Sequence, residues 1–376
     1  MMTLDELDQN AKNAYYDMNL ADALRYYAEA FVRIPTLALA YNNYGSILRE
    51  MGYPKQAYGF LKNAMDLEPE DRNAPFNYAV AHLASGDLEK GWELFEHRWR
   101  FKHHEHTLEG WAKPRWEGED ITGKKLLVTC EEGDGDNLQF IRFVNDCTDM
   151  GIEVIIQTEI NIIDLFQASF PQLTVITNKE DPPEFDYWTP ILSLPKILKV
   201  TYDNMPKLDS YLTPSQESID KWATILPPKK KLRIAYCCKG RSKSYPIEVF
   251  IEFIKQNQQY EWINLQAVYT PEEQLMLQGL VTDYFDHIRI WNDTAGLLRH
   301  VDIVISVDTG LTHLAGAMGI KTILLLDKYK TCWRWLYERE DTPWYNSVTL
   351  CRQKEVFGYN QQLNDVAKKI GTEVPI

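Results

Sequence analysis

No stretch of this 376-residue chain stays apolar for anything near the roughly 20 residues that a membrane-crossing helix requires, so no membrane span is expected. Nor does the chain open like a secreted protein. Its first residues, MMTLDELDQN, are acidic and polar where a leader would be basic and then apolar, so no signal peptide is expected there. Cysteine is sparse. Cys130, Cys147, Cys237, Cys238, Cys332 and Cys351 form no CxxC pair and have no histidine at zinc spacing. That pattern points to reduced, mostly buried thiols in a cytoplasmic protein, not to a disulfide frame or a structural zinc site. An excess of positive charge is missing too. With 40 basic and 54 acidic residues the net charge is −14, which argues against wholesale coating of nucleic acid but leaves room for a local basic patch. What the chain does have is core material: 45% apolar and 12% aromatic residues describe a folded protein, long enough for two or three domains.

The segment Val301–Asp327, VDIVISVDTGLTHLAGAMGIKTILLLD, carries the most information. Its apolar runs predict a strand at Ile303–Val307 and a second at Thr322–Leu326, joined by an Asp308-Thr309-Gly310 turn and a helix from near Leu311 to about Gly319. A helix start carries unsatisfied N–H groups and a partial positive charge, which suit a phosphate. Asp308 and Thr312 are expected to cap the first turn, Gly310 permits close backbone approach, and His313 lies within reach of a diphosphate. Spacing alone leaves open the plainer reading, an ordinary crossover with a capped helix.

Near the amino terminus the chain repeats with a period of 34. Pro35 and Pro69 each close a helix. Ala23, Ala57 and Gly91 form a small register, Tyr27, Leu61 and Phe95 a large apolar one, and Ala30 and Ala64 another. A turn position recurs as Met18, Gly52 and Gly86. Small residues let helices cross closely while large ones fill the gap, and the spacing resembles tetratricopeptide repeats. The third copy degenerates after Phe95, as a capping repeat would. Such an array binds protein segments or buttresses the next domain, and both readings stay open. The following stretch, Arg98–Gly118, interleaves Arg, Lys, His and Trp. It can stack on bases or sugars, or serve as a linker whose tryptophans seal a domain junction.

From Gly123 the periodicity changes. Lys125–Cys130 reads as a buried strand, the glycine-rich turn Glu132–Asp136 follows, and a helix is expected over Asn137–Val144. Glu153–Gln157, Leu173–Ile176 and Ile191–Leu194 complete a first α/β half. Prolines near Asp181–Pro183 and at Pro214, Pro227 and Pro228 suggest a boundary at 212–230. A second half runs through Leu232–Cys238, Trp262–Val268, Ile288–Trp291, the segment above and Val348–Cys351. Strands alternating with helices in two halves imply two doubly wound domains across a cleft, with ligands at the carboxyl ends of the strands.

The order of motifs now bears on family. Repeats are followed by GW-E-FE-RW (Gly91–Trp99), EEGDGDNLQFIRF (Glu131–Phe143), ISVDTGLTHLAGAMG (Ile305–Gly319) and W-R-W…R…D-PWY (Trp333–Tyr345). Together these resemble tetratricopeptide-repeat-containing GT-B glycosyltransferases, similar to the heptosyltransferase (glycosyltransferase family 9) group and distantly to O-GlcNAc transferase. The resemblance implies an α/β GT-B fold, two Rossmann-like domains facing a cleft, preceded by an all-α repeat array. Its boundaries would be 1–106 for the repeats, 107–122 for a linker, 123–212 for an acceptor domain, 213–355 for a nucleotide-sugar domain and 356–376 for a C-terminal helix or tail. It further implies an inverting transferase with a nucleotide-diphosphate sugar as co-substrate and no obligatory metal.

By the same resemblance Asp136 is the base that takes the acceptor's proton, on an acceptor-side turn with Gly133, Asp134, Gly135 and Gln139. Asp308, Thr309, Gly310, Leu311, Thr312 and His313 match the donor-phosphate turn, and Gln266 a position near the nucleotide. The family's Trp-x-Gly loop is replaced here by Cys237-Cys238-Lys239-Gly240, so which of Lys239, Arg241 and Lys243 would hold the diphosphate stays open. A plainer view makes those cations a solvated loop continuous with Lys229–Lys231. Asp134-x-Asp136 also matches a metal-binding DxD, and Asp136 can be read as a mere helix N-cap. Two competing functions remain: a non-catalytic repeat scaffold on a degenerate transferase fold, and an enzyme that glycosylates a hydroxymethylated nucleic-acid base. Glycan and protein acceptors are equally open, a protein partner on the array is compatible with its surface, and repeat arrays with exposed tryptophans admit a homodimer.

Overall fold

A computed structural model describes residues 2–101, 111–240, 244–266 and 269–373. The chain divides into two compact units, the first comprising Met1–Trp111, Lys199–Met205 and Asp327–Arg339 and the second the remainder. Among the described residues no helix is long and apolar enough to cross a membrane.

Among its described residues the first unit holds six α-helices, each packed on the next: α1 (Leu4–Tyr16), α2 (Leu20–Arg33), α3 (Ala38–Glu50), α4 (Pro54–Leu67), α5 (Asn73–Ser85) and α6 (Leu88–Phe95). Thr3 and Glu6 form a capping box on α1, Asn19 and Asp87 cap α2 and α6, and Pro54 opens α4. The recurring turn position has a common physical cause. Met18, Gly52 and Gly86 all take positive φ, at 59°, 93° and 87°. Ala23, Ala57 and Leu61 are fully buried. A Cβ on Gly91 would sit 2.5 Å from Leu83 Cδ2, so only glycine lets α6 lie this close to α5. The other two segments of the unit pack onto these helices. Trp92 Nε1 donates to the Val200 carbonyl (3.0 Å), the Trp333 ring meets Trp92 edge-on at 5.5 Å, and Lys330 N donates to the Glu50 carbonyl (2.9 Å). The array therefore buttresses parts of its own chain.

The second unit contains two parallel sheets. The first follows the order β3-β2-β1-β4. Its elements are β1 (Lys125–Thr129), α7 (Asp134–Phe140), α8 (Val144–Asp149), β2 (Glu153–Thr158), α9 (Ile163–Ser169), β3 (Thr174–Thr177), β4 (Tyr187–Pro190) and α10 (Leu194–Ile197). The second follows the order β10-β9-β8-β5-β6-β7. It is built from α11 (Gln216–Ile225), β5 (Arg233–Cys237), α12 (Ile247–Gln256), β6 (Glu261–Asn264), α13 (Pro271–Leu277), β7 (Thr282–Asp283), α14 (Trp291–Leu298), β8 (Ile303–Val307), α15 (Gly310–Ala317), β9 (Thr322–Leu326), β10 (Val348–Arg352) and α16 (Tyr359–Glu373). Strand order reverses between β5 and β8, which puts the switch point beside the start of α15.

Two expected strands are not strands. Ile191–Ser193 is a 3-10 turn leading into α10, and the strand lies just before it at Tyr187–Pro190. Ile288–Trp291 is the entry to α14, where Ile290 and Arg289 give their N–H groups to Asp293. Short buried apolar runs satisfy either geometry, and here turns and caps decide. The expected strand Trp262–Val268 ends at Asn264, with 267–268 outside the described residues, as are 102–110 of the basic aromatic stretch.

Candidate active site

The turn after β8 places Asp308, Thr309 and Gly310 at partial exposure and turns Leu311, Thr312 and His313 inward. Thr312 does not take up the capping role expected of it. Thr309 is the N-cap, its side chain makes no bond to the helix, and the Thr312 hydroxyl instead donates back to the Val307 carbonyl at 3.0 Å. Strand end and helix start are thereby tied together. Such an end is suited to an anion.

The glycine-rich turn after β1 begins α7 with Gly133 as N-cap. Asp136 is therefore not the N-cap; it sits in the first turn and accepts the Gly133 N–H at 3.3 Å. A Cβ on Gly135 would lie 3.1 Å from His313 Cδ2 and 3.2 Å from Gly310 Cα, and one on Gly310 would lie 2.9 Å from Trp291 Cη2. The two turns singled out in the sequence thus meet glycine to glycine at the carboxyl ends of both sheets. Asp134 is tied to the same region: its Oδ2 accepts from Asn161 Nδ2 at 2.7 Å and from Trp291 Nε1 at 2.8 Å. Gln139 is wholly buried and lines no open surface.

His313 is buried, and its Nδ1 lies 2.9 Å from the Tyr345 hydroxyl. Tyr345 packs on α15 where a Cβ at Gly316 would come within 2.6 Å of its ring. Behind it the buried Arg142 guanidinium donates to the carbonyls of Trp344 (2.7 Å) and Pro206 (2.8 Å). Sequence reasoning missed Trp291, Asn161, Arg142 and Tyr345 as parts of this region. Tyr345 stood in the Pro-Trp-Tyr motif and Arg142 in NLQFIRF, yet nothing local says which turn either one braces.

The loop after β5 is held by Gln266 and Glu273. Gln266, nearly buried, accepts the Lys239 N–H at 2.6 Å and donates to the Lys239 carbonyl at 3.1 Å, so its amide pins that loop as a strand neighbour would. The Lys239 ammonium pairs with Glu273, and with the Thr270 N–H it holds the Glu273 carboxyl below the usual carboxylate range. Burial pushes the adjacent Cys238 thiol up to about 12, which keeps it protonated and inert. Arg241 and Lys243 lie outside the described residues.

Two Rossmann-like halves, each a parallel sheet with helices, meet at the carboxyl ends of their strands in a GT-B fold. Residues 197–355 match glycosyltransferase family 9 (heptosyltransferase). It is similar to Protein FlbA of Caulobacter vibrioides, 25% identical over 377 residues that cover 90% of this chain and 63% of that protein. The chain thus spans 63% of the length of this curated relative. The family 9 glycosyl transferase structure from Veillonella parvula aligns over 69% of this chain and all of its own, at 10% identity and a TM-score of 0.51. The E. coli heptosyltransferase WaaC, solved with ADP-2-deoxy-2-fluoro heptose, aligns over 66% of this chain and 100% of its own, at 13% identity and a TM-score of 0.45.

Proposed function

We propose that this protein is an inverting, metal-independent glycosyltransferase that moves a sugar from a nucleotide-diphosphate donor to a hydroxyl acceptor in the cytoplasm. The observation that carries the reading is the meeting of Gly135 with Gly310 and His313, which sets the turn bearing Asp136 beside the helix start suited to phosphate. Residues 123–212 then present the acceptor and 213–355 the donor. The acceptor oxygen attacks the anomeric carbon, its proton passes to Asp136, and the bond to the diphosphate breaks on the opposite face. The departing anion is held by the N–H groups that open α15 and by His313, an electrostatic role worth several kcal/mol in comparable sites. A glycan or protein hydroxyl is the acceptor this reading favours; a hydroxymethylated base is the weaker alternative given the net charge of −14.

A thermal-shift series with UDP, GDP, ADP and CMP, with and without magnesium, tests the donor half. One diphosphate should raise the melting temperature, with the same rise when magnesium is omitted. Asp136→Asn should then lower transfer by about 10²–10⁴-fold while sparing that rise. No response to any nucleotide from folded protein would favour the non-catalytic scaffold.

A further inference from the structure

We propose that the groove between α1 and α3 is a docking site for a basic, aromatic segment of another protein. It lies wholly within the helical unit and stands whether or not the donor-site reading does. The groove encloses about 230 Å³ between Lys12, Tyr15 and Tyr16 on one helix and Asn43, Ile47 and Glu50 on the other. Tyr16 stands at its rim, 76% exposed, with its ring edge-on to Tyr15 at 5.7 Å. The Tyr15 hydroxyl donates to the Glu50 carboxylate at 2.8 Å, so aromatic faces and an anion share one opening. Such a surface attracts the head group of a Lys or Arg and covers its apolar stem.

The neighbouring groove already holds a segment of this kind. Asp327–Arg339, part of the same unit, packs Trp333–Trp335 on α5, and the Tyr337 hydroxyl donates to the Arg49 carbonyl of α3 at 2.5 Å. The pair α3 and α5 lies one 34-residue step along from α1 and α3; Ile47 and Glu50 recur there as Ala81 and Ala84, both buried. Lys330 carries the segment to the edge of the open groove. Its Nζ stands 3.7 Å over the Tyr15 ring and donates to the Tyr15 carbonyl at 3.3 Å, while its backbone N–H donates to the Glu50 carbonyl at 2.9 Å. This resident sequence, DKYKTCWRWLYER, has four basic residues against two acidic and carries four aromatics. Residues 1–34 hold six acidic against three basic. Opposite charge thus draws a second basic, aromatic segment to the first repeat, where the open groove continues the surface that the resident one covers.

The test is fluorescence anisotropy of the full chain with a labelled peptide of residues 327–339 carrying Cys332→Ser, which prevents oxidation. The peptide should bind saturably. Tyr16→Ala, at an exposed side chain, should weaken Kd about tenfold with an unchanged melting temperature. Val32→Ala, 74% exposed and outside the groove, should leave Kd unchanged. A peptide with its four basic residues changed to Glu should not bind. Absence of saturable binding, equal binding of the charge-reversed peptide, or a Kd that Tyr16→Ala moves no more than Val32→Ala does would overturn the proposal.

Discussion

One oxygen of Asp134 accepts the indole N–H of Trp291 at 2.8 Å, and the same oxygen accepts the Asn161 amide at 2.7 Å. Trp291 returns the link through its backbone, whose N–H donates to the Asn161 carbonyl at 3.0 Å. Asp134 and Asn161 follow strands of the first sheet, and Trp291 opens a helix of the second. The contact thus clasps the two halves beside the glycine pair. Trp291→Phe keeps the ring against Gly310 and deletes the charge-assisted bond. It should cost about 1 kcal/mol in urea unfolding and raise donor KM by loosening the cleft. Unchanged stability and KM would show the clasp to be incidental.

Gly135→Ala tests the meeting of the two turns. Its Cβ would press on Gly310 backbone at 3.2 Å and on His313 at 3.1 Å, so the turns must part by a few tenths of an ångström. Positioning of reacting groups tolerates little displacement, and kcat should fall by about 10²-fold at nearly constant melting temperature. Wild-type turnover would mean the glycine contact does not set the catalytic distance.

Glu273 offers a pH signature. Its pairing with Lys239 and the Thr270 N–H lowers its folded pKa below the ordinary 4.5. A depressed folded value stabilises the protein above the unfolded pKa, and that contribution is lost as pH falls through the folded one. Glu273→Gln should therefore destabilise the protein more at pH 6 than at pH 3, read by urea titration at both. An equal loss at the two values would assign its effect to packing.

Trp333 is buried against Trp92 at 5.5 Å and Phe95 at 6.4 Å, within the helical unit. Trp333→Ala should cost about 3–5 kcal/mol in chemical unfolding, as removal of a large buried aromatic does. A loss under 1 kcal/mol would mean that the Asp327–Arg339 segment adds little to the array.

The repeats and the strand-turn-helix units were legible from residue order because each rests on local rules. A period of 34, positive φ at Met18, Gly52 and Gly86, and apolar runs leading into glycine turns all act within a few residues of themselves. The two turns that matter were also visible, since a helix start rich in glycine is marked by composition. Their partners were not. Trp291 reaching Asp134, Tyr345 reaching His313 and Gln266 pinning Lys239 join residues many positions apart, and no periodicity encodes where a side chain points once sheets have stacked. Local sequence determined which turns could bind, because backbone conformation is set by nearest neighbours. Tertiary structure alone decided that Asp134 is spent on Asn161 and Trp291, because that depends on what the fold brings within hydrogen-bond distance.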